Sequence, residues 1–241
     1  MEDTTQLLAG TSGYSFKEWY GHFYPEKLPA KAMLRYYAER LSTVEINATF
    51  YRMPSETMLE RWATEVPAHF AFTLKAPRRI THHKQLADAG PDATEFLRRA
   101  ATLGTKLGTL LFQLPPSFKK DLGRLTEFID QLPLRPRVTF EFRHPSWHTD
   151  AVYETLRTHG SMLCVTDTDE GDTPFVATCD QGYLRLRRSH YGDRELKAWL
   201  ARIAAQPLAR AYVYFMHEDQ ALGIGFAQRM MKLRGPQAAE S

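Results

Sequence analysis

Short segments in which apolar and polar residues alternate recur along the chain, and segments with helical spacing lie between them. In the clearest of them, Val138, Phe140 and Phe142 are separated by polar or charged residues, and Pro145 ends the pattern. A period of two residues with one apolar side is typical of a β-strand. The same alternation, or a short apolar run, predicts further strands at 7–11, 43–51, 70–75, 107–114, 161–166, 183–187 and 211–217.

Helices are predicted between most of these strands. Leu125, Phe128 and Ile129 recur at the spacing of one helix face. Pro29 suits the first turn of a helix, and Gly160 suits the position just after the end of one. Helices are expected at 29–41, from 54–56 onward, and at 92–103, 122–132, 151–159, 193–205 and 226–233. The connections 76–90 and 167–182 are polar and are predicted to be loops.

Eight strands that alternate with helices predict a single (β/α)8 barrel of the TIM type, in which parallel strands close into a cylinder inside a ring of helices. The 241 residues suit one such domain. An open, doubly wound sheet is the alternative, but the first strand is not followed by the glycine-rich phosphate loop of that fold. We therefore expect one barrel domain at 1–235 and a disordered tail at 236–241.

The strand sides that face the barrel axis are expected to be unusually polar. Helices cover the outside of a barrel, so the apolar side of each strand must face outward. The residues predicted to point inward are Glu45, Asn47, Lys75, Gln113, Glu141, Arg143, Asp167, Arg185, Tyr212 and Tyr214. Buried ionisable groups are costly unless they pair or bind something. The pattern therefore predicts an ion-pair network, a functional site at the C-terminal mouth of the barrel, or both.

Six segments carry a family resemblance. They are GTSGYSFKEWYGHFYP at 10–25, VEINATFYRMPS at 44–55, FTLKAP at 72–77, THHK at 81–84, LGTLLFQLPPSF at 107–118 and EFRHPSWH at 141–148. In order and spacing the chain resembles the domain-of-unknown-function 72 family, the YecE-like proteins, over nearly its whole length. The resemblance implies a barrel of the same kind and implies no activity. His217, Glu218 and Asp219 stand where that family often has asparagine-rich polar residues after the eighth strand.

Hydropathy, cysteine content and net charge limit which partners and which cellular location we expect. No apolar run approaches membrane-spanning length, and residues 1–10 lack the basic and apolar regions of a secretory signal. Two cysteines, Cys164 and Cys179, do not make a disulfide framework. We therefore expect a soluble cytoplasmic protein with no membrane partner. The net charge of +3 is compatible with an anionic partner but is too small to argue for one alone.

The favoured functional hypothesis is a phosphodiesterase-like hydrolase that acts on a small phosphate-bearing or other anionic substrate. Arginine and lysine side chains from three strands would bind the anion, arginine in bidentate fashion. Glu141 or Glu45 is the candidate general base, and His144 is the candidate acid. The residues expected to contact the substrate are Tyr14, Asn47, Tyr51, Arg52, Lys75, Gln113, Arg143, Trp147, Asp167, Arg185 and His217.

Two other functions fit the same residues. Glu45 and Glu141 could be the carboxylate pair of a glycosidase, although cationic surroundings disfavour the protonated carboxyl group that such an enzyme needs. Alternatively, the basic and aromatic rim could bind a nucleotide or a nucleic acid without catalysis.

No cofactor is predicted from the sequence. The side chains that could hold a divalent metal are Glu45, Glu141, His144, Asp167 and His217. No spacing signature selects them, and no His-x-x-x-His or Cys-x-x-Cys pattern occurs among the inward residues. We therefore expect no tightly bound zinc, and a weakly held divalent metal stays an alternative.

Overall fold

Eight parallel strands close into a barrel in the computed structural model, which describes residues 5–217 and 219–235. The predicted tail at 236–241 and Glu218 lie outside the described residues. The barrel strands are β1 (Gln6–Ser12), β2 (Thr43–Ile46), β3 (Ala71–Lys75), β4 (Leu107–Leu114), β5 (Val138–Phe142), β6 (Met162–Thr168), β8 (Gln181–Leu186) and β9 (Arg210–Phe215). The pairing of β1 with β9 and of β5 with β6 completes the cylinder, so the predicted (β/α)8 fold is confirmed.

Helices connect the strands, and most of them cover the outside of the barrel. They are α1 (Met33–Ala38), α2 (Ala48–Tyr51), α3 (Glu56–Glu65), α4 (Gly90–Ala100), α5 (Leu122–Asp130), α6 (Asp150–Thr158), α7 (Asp193–Ala204) and α8 (Leu222–Arg234). Between β6 and β8 the chain forms only a two-residue strand, β7 (Gly171–Asp172), which pairs antiparallel with β6. Phe175 from this connection lies near Trp199 of α7 and packs against the apolar core.

The second strand is shorter than predicted. β2 ends at Ile46, and Asn47 already has a right-handed helical backbone that begins α2. The hydroxyl of Thr49 donates to the backbone oxygens of Ile46 at 3.0 Å and of Lys75 at 2.7 Å. Such local side-chain hydrogen bonds compete with the pairing of an extended strand. The chain therefore turns at the mouth of the barrel, where Tyr51 becomes part of its rim.

The apolar core lies between the barrel and the helices. Phe112, Phe140 and Phe142 point outward from β4 and β5, and the ring of Phe142 stacks on Trp147 at 4.7 Å between centroids. Below the mouth the axis side is mixed. A second buried cluster there includes Leu8, Leu111 and Met162, while the hydroxyl of Tyr214 contacts the hydroxyls of Thr43 and Thr73. The polar inside predicted from the alternation is therefore found at the mouth, and the inside below it also contains apolar side chains.

Gly10 gives a test of how tightly β1 and β2 approach each other. A Cβ at Gly10 would lie 2.0 Å from the backbone oxygen of Thr43, which is held by a hydrogen bond from Tyr37. We expect Gly10→Ala to lower the free energy of unfolding by about 1–3 kcal/mol, because the strands must separate. Gly225→Ala is the matched control, since a Cβ there meets nothing within 4 Å.

Gly225 lies inside a helix, so alanine there should raise the free energy of unfolding by about 0.5–1 kcal/mol. Urea denaturation of the two variants and the wild type measures both changes. Equal stability of Gly10→Ala and wild type would contradict the described contact.

Candidate functional site

Arg185 lies at the centre of the barrel mouth. Its side chain is fully buried, although it carries a charge. One terminal nitrogen lies 2.6 Å from Oε2 of Glu141 on β5, and the other lies 2.8 Å from Oε1 of Glu45 on β2. A single guanidinium therefore joins two carboxylates that come from well-separated strands of the barrel. Such planar, charge-assisted pairing is the arrangement for which arginine is suited.

Glu45 is fully occupied by partners from the protein. Besides Arg185, it accepts a hydrogen bond from the hydroxyl of Ser12 at 2.7 Å and another from the hydroxyl of Tyr183. The side chain of Glu45 has no exposed surface. Burial raises the pKa of Tyr183 well above its ordinary value, so this hydroxyl remains a donor. Glu45 therefore has the surroundings of a structural carboxylate.

Glu141 is held by more cations than Glu45. Its oxygens accept from Gln113 at 2.8 Å and from Nε of Arg143 at 3.2 Å, and a terminal nitrogen of Arg187 lies 3.7 Å away. Burial acts to raise its pKa, but the attraction of Arg185 and Arg143 and the hydrogen bond from Gln113 outweigh burial and lower the pKa to about 2. Glu141 is therefore a carboxylate at any physiological pH.

The cluster carries more positive than negative charge. Two carboxylates, Glu45 and Glu141, face the four cationic side chains of Lys75, Arg143, Arg185 and Arg187. Within the described part of the chain, the terminal nitrogens of Arg143 make no hydrogen bond, and 34% of its side chain is exposed. A surplus of two positive charges therefore stands at the mouth.

Lys75, at the end of β3, is the cation of this cluster that lacks a carboxylate contact. Its Nζ lies 4.3 Å from the centroid of the Phe50 ring. No residue of 5–217 or 219–235 forms an ion pair with it. Burial is the largest cause that lowers its pKa, the charge of Arg185 adds to the effect, and the pKa falls to about 8.

A cavity of about 460 Å³ opens above this cluster. Lys75, Arg143 and Arg185 line it together with a set of aromatic side chains. Asn47 lines it as well, and its Oδ1 is buried without a hydrogen-bond partner among the residues described. The aromatic residues are Tyr14, Phe16, Phe50, Tyr51 and Trp62. The cavity thus offers cationic groups, neutral polar groups and apolar surface.

A second cavity of about 530 Å³ lies on the other side of Arg143. Strands β5 and β6 pair only at Thr139 and Phe140, so they separate toward their C-terminal ends. Arg143, Arg187 and Glu141 line the gap. Arg143 therefore borders both cavities of the mouth.

Most of the predicted site residues meet at this mouth. The cluster and the first cavity together contain Tyr14, Glu45, Asn47, Tyr51, Lys75, Gln113, Glu141, Arg143 and Arg185. Sequence reasoning did not select Arg187, Ser12 or Tyr183 as site residues. The signal for Arg187 and Tyr183 was present, because both fall on the same side of their strand as Arg185.

Two predicted residues that follow β5 do not line the mouth. Trp147 has no exposed surface, stacks on Phe142, and donates its indole N–H to the backbone oxygen of Phe118 at 2.7 Å. The Nδ1 of His144 accepts from the backbone N–H of Ser146 at 3.1 Å. His144 lines neither cavity of the mouth. The strand period ends before these residues, so alternation could not place them.

Asp167 was predicted to point inward and does the opposite. It pairs in register with Leu186, whose side chain belongs to the outer core, while Thr166 takes the inward position beside Arg185. Its carboxylate accepts from Arg188 at 2.6 Å and from Trp199 at 2.9 Å. A displacement of one residue reverses the side of a strand side chain, and this is the error made here.

His217 and Arg52 also lie away from the cavities. The ring of His217 packs edge-on against Tyr191 and Phe226, and its Nε2 contacts the backbone oxygen of Arg188. Arg52 is exposed just after α2 and lines neither cavity. Both residues follow the end of a regular element, where the sequence gives no directional signal.

No metal site is formed by the described residues. Within 5–217 and 219–235, no group of three or more His, Cys, Asp or Glu side chains is arranged to hold an ion. The carboxylates that could serve as ligands are already bound to arginine. In the same part of the chain, no helix has both the length and the apolar character needed to cross a membrane.

Comparisons with known proteins agree with the fold. The family model described as "Protein of unknown function DUF72" matches residues 8–241. UPF0759 protein YecE of Escherichia coli (strain K12) is 32% identical over 128 residues, which are 53% of this chain and 47% of that protein. UPF0759 protein YunF of Bacillus subtilis (strain 168) is 28% identical over 201 residues, 76% of this chain and 70% of that protein. The match thus spans about half the length of the Escherichia coli relative.

Solved structures are similar over almost the whole chain. A DUF72 family protein from Thermotoga maritima has a TM-score of 0.82 and 29% identity, and the match covers 95% of this chain and 98% of that one. A DUF72 family protein from Enterococcus faecalis has a TM-score of 0.78 at 18% identity over 98% of this chain and 100% of that one, which shows the fold alone. The resemblance found in the sequence motifs is confirmed.

Glu141 provides a test of the buried cluster. We expect Glu141→Gln to lower the free energy of unfolding at pH 7 by about 3–5 kcal/mol, because it removes one of the two counter-charges of the fully buried Arg185. Glu154→Gln is the control, since Glu154 pairs with Arg157 on an exposed helix surface and should change stability by less than about 0.5 kcal/mol.

The effect should also depend on pH. A carboxylate whose folded pKa is lowered from 4.5 to about 2 stabilises fully above the unfolded value. The difference between wild type and Glu141→Gln should therefore shrink as the pH falls from 4.5 toward 2. Denaturation curves that are equal for wild type and Glu141→Gln at pH 7 would refute the buried pairing.

Proposed function

The chain belongs to the DUF72 family, and we propose that its barrel mouth binds a small molecule that carries an anionic group beside an apolar portion. The observation that supports this proposal is the surplus of positive charge on the cavity of about 460 Å³. Both carboxylates of the cluster pair with Arg185. Lys75 and Arg143 also line the cavity, and the described carboxylates do not balance their positive charges fully. Low-dielectric walls focus such a field onto an entering anion.

The arginine geometry favours a phosphate or carboxylate group. Arg143 uses Nε for Glu141, which leaves both terminal nitrogens for a ligand. A guanidinium with free terminal nitrogens can bind two oxygens of one anion at once. Barrels of this type generally hold their ligands at the C-terminal mouth.

The size and lining of the cavity support a small ligand. Its volume falls within the range of about 300–1,000 Å³ found for small-molecule sites. Phe16, Phe50 and Trp62 give it apolar surface, against which a hydrocarbon or ring portion can pack. A ligand with one charged end and one apolar end satisfies both parts of the lining.

The surroundings of the two carboxylates give little support to a hydrolytic reaction in which one of them is the general base. Glu141, the first candidate general base, has a pKa of about 2 and four protein partners. Glu45 is fully buried and hydrogen-bonded, and His144 lines neither cavity. A hydrolase at this site would need a different base. Lys75 is the cavity-lining group whose pKa is brought to about 8.

The two alternative functions are supported less well. A glycosidase needs one carboxyl group that keeps a proton, whereas Glu45 and Glu141 share the guanidinium of one arginine. A nucleic-acid surface would need basic and aromatic side chains along an extended groove, and here they converge on one compact cavity.

The proposal predicts that Arg143 is needed for anion binding. Sulfate titrated by calorimetry at low ionic strength should bind the wild type at least about tenfold more tightly than Arg143→Ala, because a charge-assisted hydrogen bond contributes about 1.5–3 kcal/mol. Arg157→Ala, which removes an exposed arginine far along α6, should bind sulfate like the wild type. Added salt should weaken binding.

A short single-stranded oligonucleotide forms the second arm of the experiment. If the site takes one small anion, the affinity for the oligonucleotide, divided by its number of phosphates, should not exceed the affinity for sulfate. Equal sulfate affinity in wild type and Arg143→Ala, or tight oligonucleotide binding that persists in Arg143→Ala, would overturn the small-anion site.

A further inference from the structure

The amine of Lys75 has an unusual position for a lysine. It lies at the end of β3 and lines the aromatic cavity, with Nζ above the ring of Phe50. Its backbone oxygen is held by the hydroxyl of Thr49, which fixes the strand end. Across 5–217 and 219–235, no carboxylate or carbonyl accepts a hydrogen bond from this Nζ. The strand end that carries the amine is therefore fixed, and the amine has no hydrogen-bond acceptor among the described residues.

Two other lysines show the contrast. The Nζ of Lys84 pairs with Asp92 at 2.8 Å, and the Nζ of Lys106 donates to the backbone oxygen of Val66 at 2.7 Å. Both amines have acceptors that hold the protonated form in place. Lys75 instead meets an aromatic face and neighbouring arginines, which leave its lone pair available after loss of a proton.

We propose that Lys75 is a nucleophilic amine that forms an imine with a carbonyl compound, and that the anionic group of this compound binds Arg143. The inference rests on the proposed anion site and adds the reaction class. The substrate class is a small ketone or aldehyde that also carries a carboxylate or phosphate.

The surroundings of Lys75 make the neutral amine accessible. Burial and the charge of Arg185 lower its pKa to about 8, so that about a tenth of the amine is neutral at pH 7. Lysines activated in this way, by burial and by neighbouring cations, are the ones that form imines in enzymes. The charged or titratable groups that act on Lys75 or border it are Arg185, Arg143, Glu45, Glu141 and His82.

The chemistry needs no group beyond the substrate and water. The lone pair of the neutral amine attacks the carbonyl carbon, and the carbonyl oxygen takes a proton to give a carbinolamine. Loss of water then forms the carbon–nitrogen double bond, and solvent supplies and removes the protons. Asn47 Oδ1, buried and unpartnered among the described residues, is an acceptor in this cavity for the carbinolamine hydroxyl.

Reductive trapping tests the proposal. The full chain is incubated near pH 8 with sodium cyanoborohydride and with pyruvate or dihydroxyacetone phosphate as the probe. Hydride adds to the imine carbon and water supplies a proton to nitrogen, so the protein gains the mass of the probe less one oxygen atom. Intact mass and peptide mapping then locate the label. We expect one label per chain, on Lys75.

Three comparisons make the result specific. Lys75→Arg keeps a positive charge but removes the nucleophile, so it should not be labelled at this site. Lys84→Arg is the matched control and should be labelled like the wild type. Arg143→Ala should slow labelling by the anionic probes about tenfold more than labelling by neutral dihydroxyacetone, since both reactions lose the effect of the Arg143 charge on Lys75 but only the anionic probes lose a binding partner. Sulfate should protect Lys75 in the wild type, which tests the site even if a variant does not fold.

The outcomes separate this inference from the anion site. If the wild type binds sulfate but neither anionic probe labels Lys75, the imine is refuted and the anion site stands. Label that is spread over exposed lysines, equally in wild type and Lys75→Arg, also refutes it. If Lys75 is labelled selectively but sulfate neither binds nor protects, the nucleophilic amine stands and the anion site is refuted.

Discussion

The pairing of Arg185 with Glu45 and Glu141 is the constraint on which the mouth of the barrel depends. A buried charge is costly unless its counter-charges are fixed close to it, and here each terminal nitrogen has its own carboxylate. The pairing ties strands β2, β5 and β8 across the axis. It also occupies the carboxylates, so that the remaining cations face the cavity with too little negative charge to balance them. The pairing of Arg185 with the two carboxylates therefore both holds the strands together and leaves the mouth positively charged.

Much of this arrangement could be predicted from the alternation of residues. A strand has a period of two, so once Leu184 and Leu186 face the helices, Arg185 must face the axis. The same argument placed Glu45, Gln113 and Glu141 correctly. Prediction failed where the period gave no information. Asp167 lies at a strand end whose register was displaced by one residue, and Trp147 and His144 follow the end of β5, where only tertiary packing decides their direction.

The fold also changes which residues can carry chemistry. The sequence favoured carboxylates as bases, because acidic side chains at a barrel mouth are common catalytic groups. The contacts of Glu141 assign it to holding arginines, and its pKa of about 2 agrees with that assignment. What the sequence could not give is the aromatic surrounding of Lys75, since Phe50 reaches the cavity only because β2 ends early and α2 turns over the mouth. The amine of Lys75 and the guanidinium of Arg143 then face the cavity.

The pKa of Lys75 tests most directly whether the amine is buried beside cations that the carboxylates do not balance. In protein labelled with 13C at the lysine ε-carbon, the Lys75 signal can be assigned by comparison with Lys75→Arg and followed through a pH titration by NMR. The account predicts a midpoint at about 8, because burial and Arg185 disfavour the charged amine. A midpoint near the ordinary lysine value of 10.5 would contradict it, since the amine would then either be hydrated or have its neighbouring cations balanced by the carboxylates.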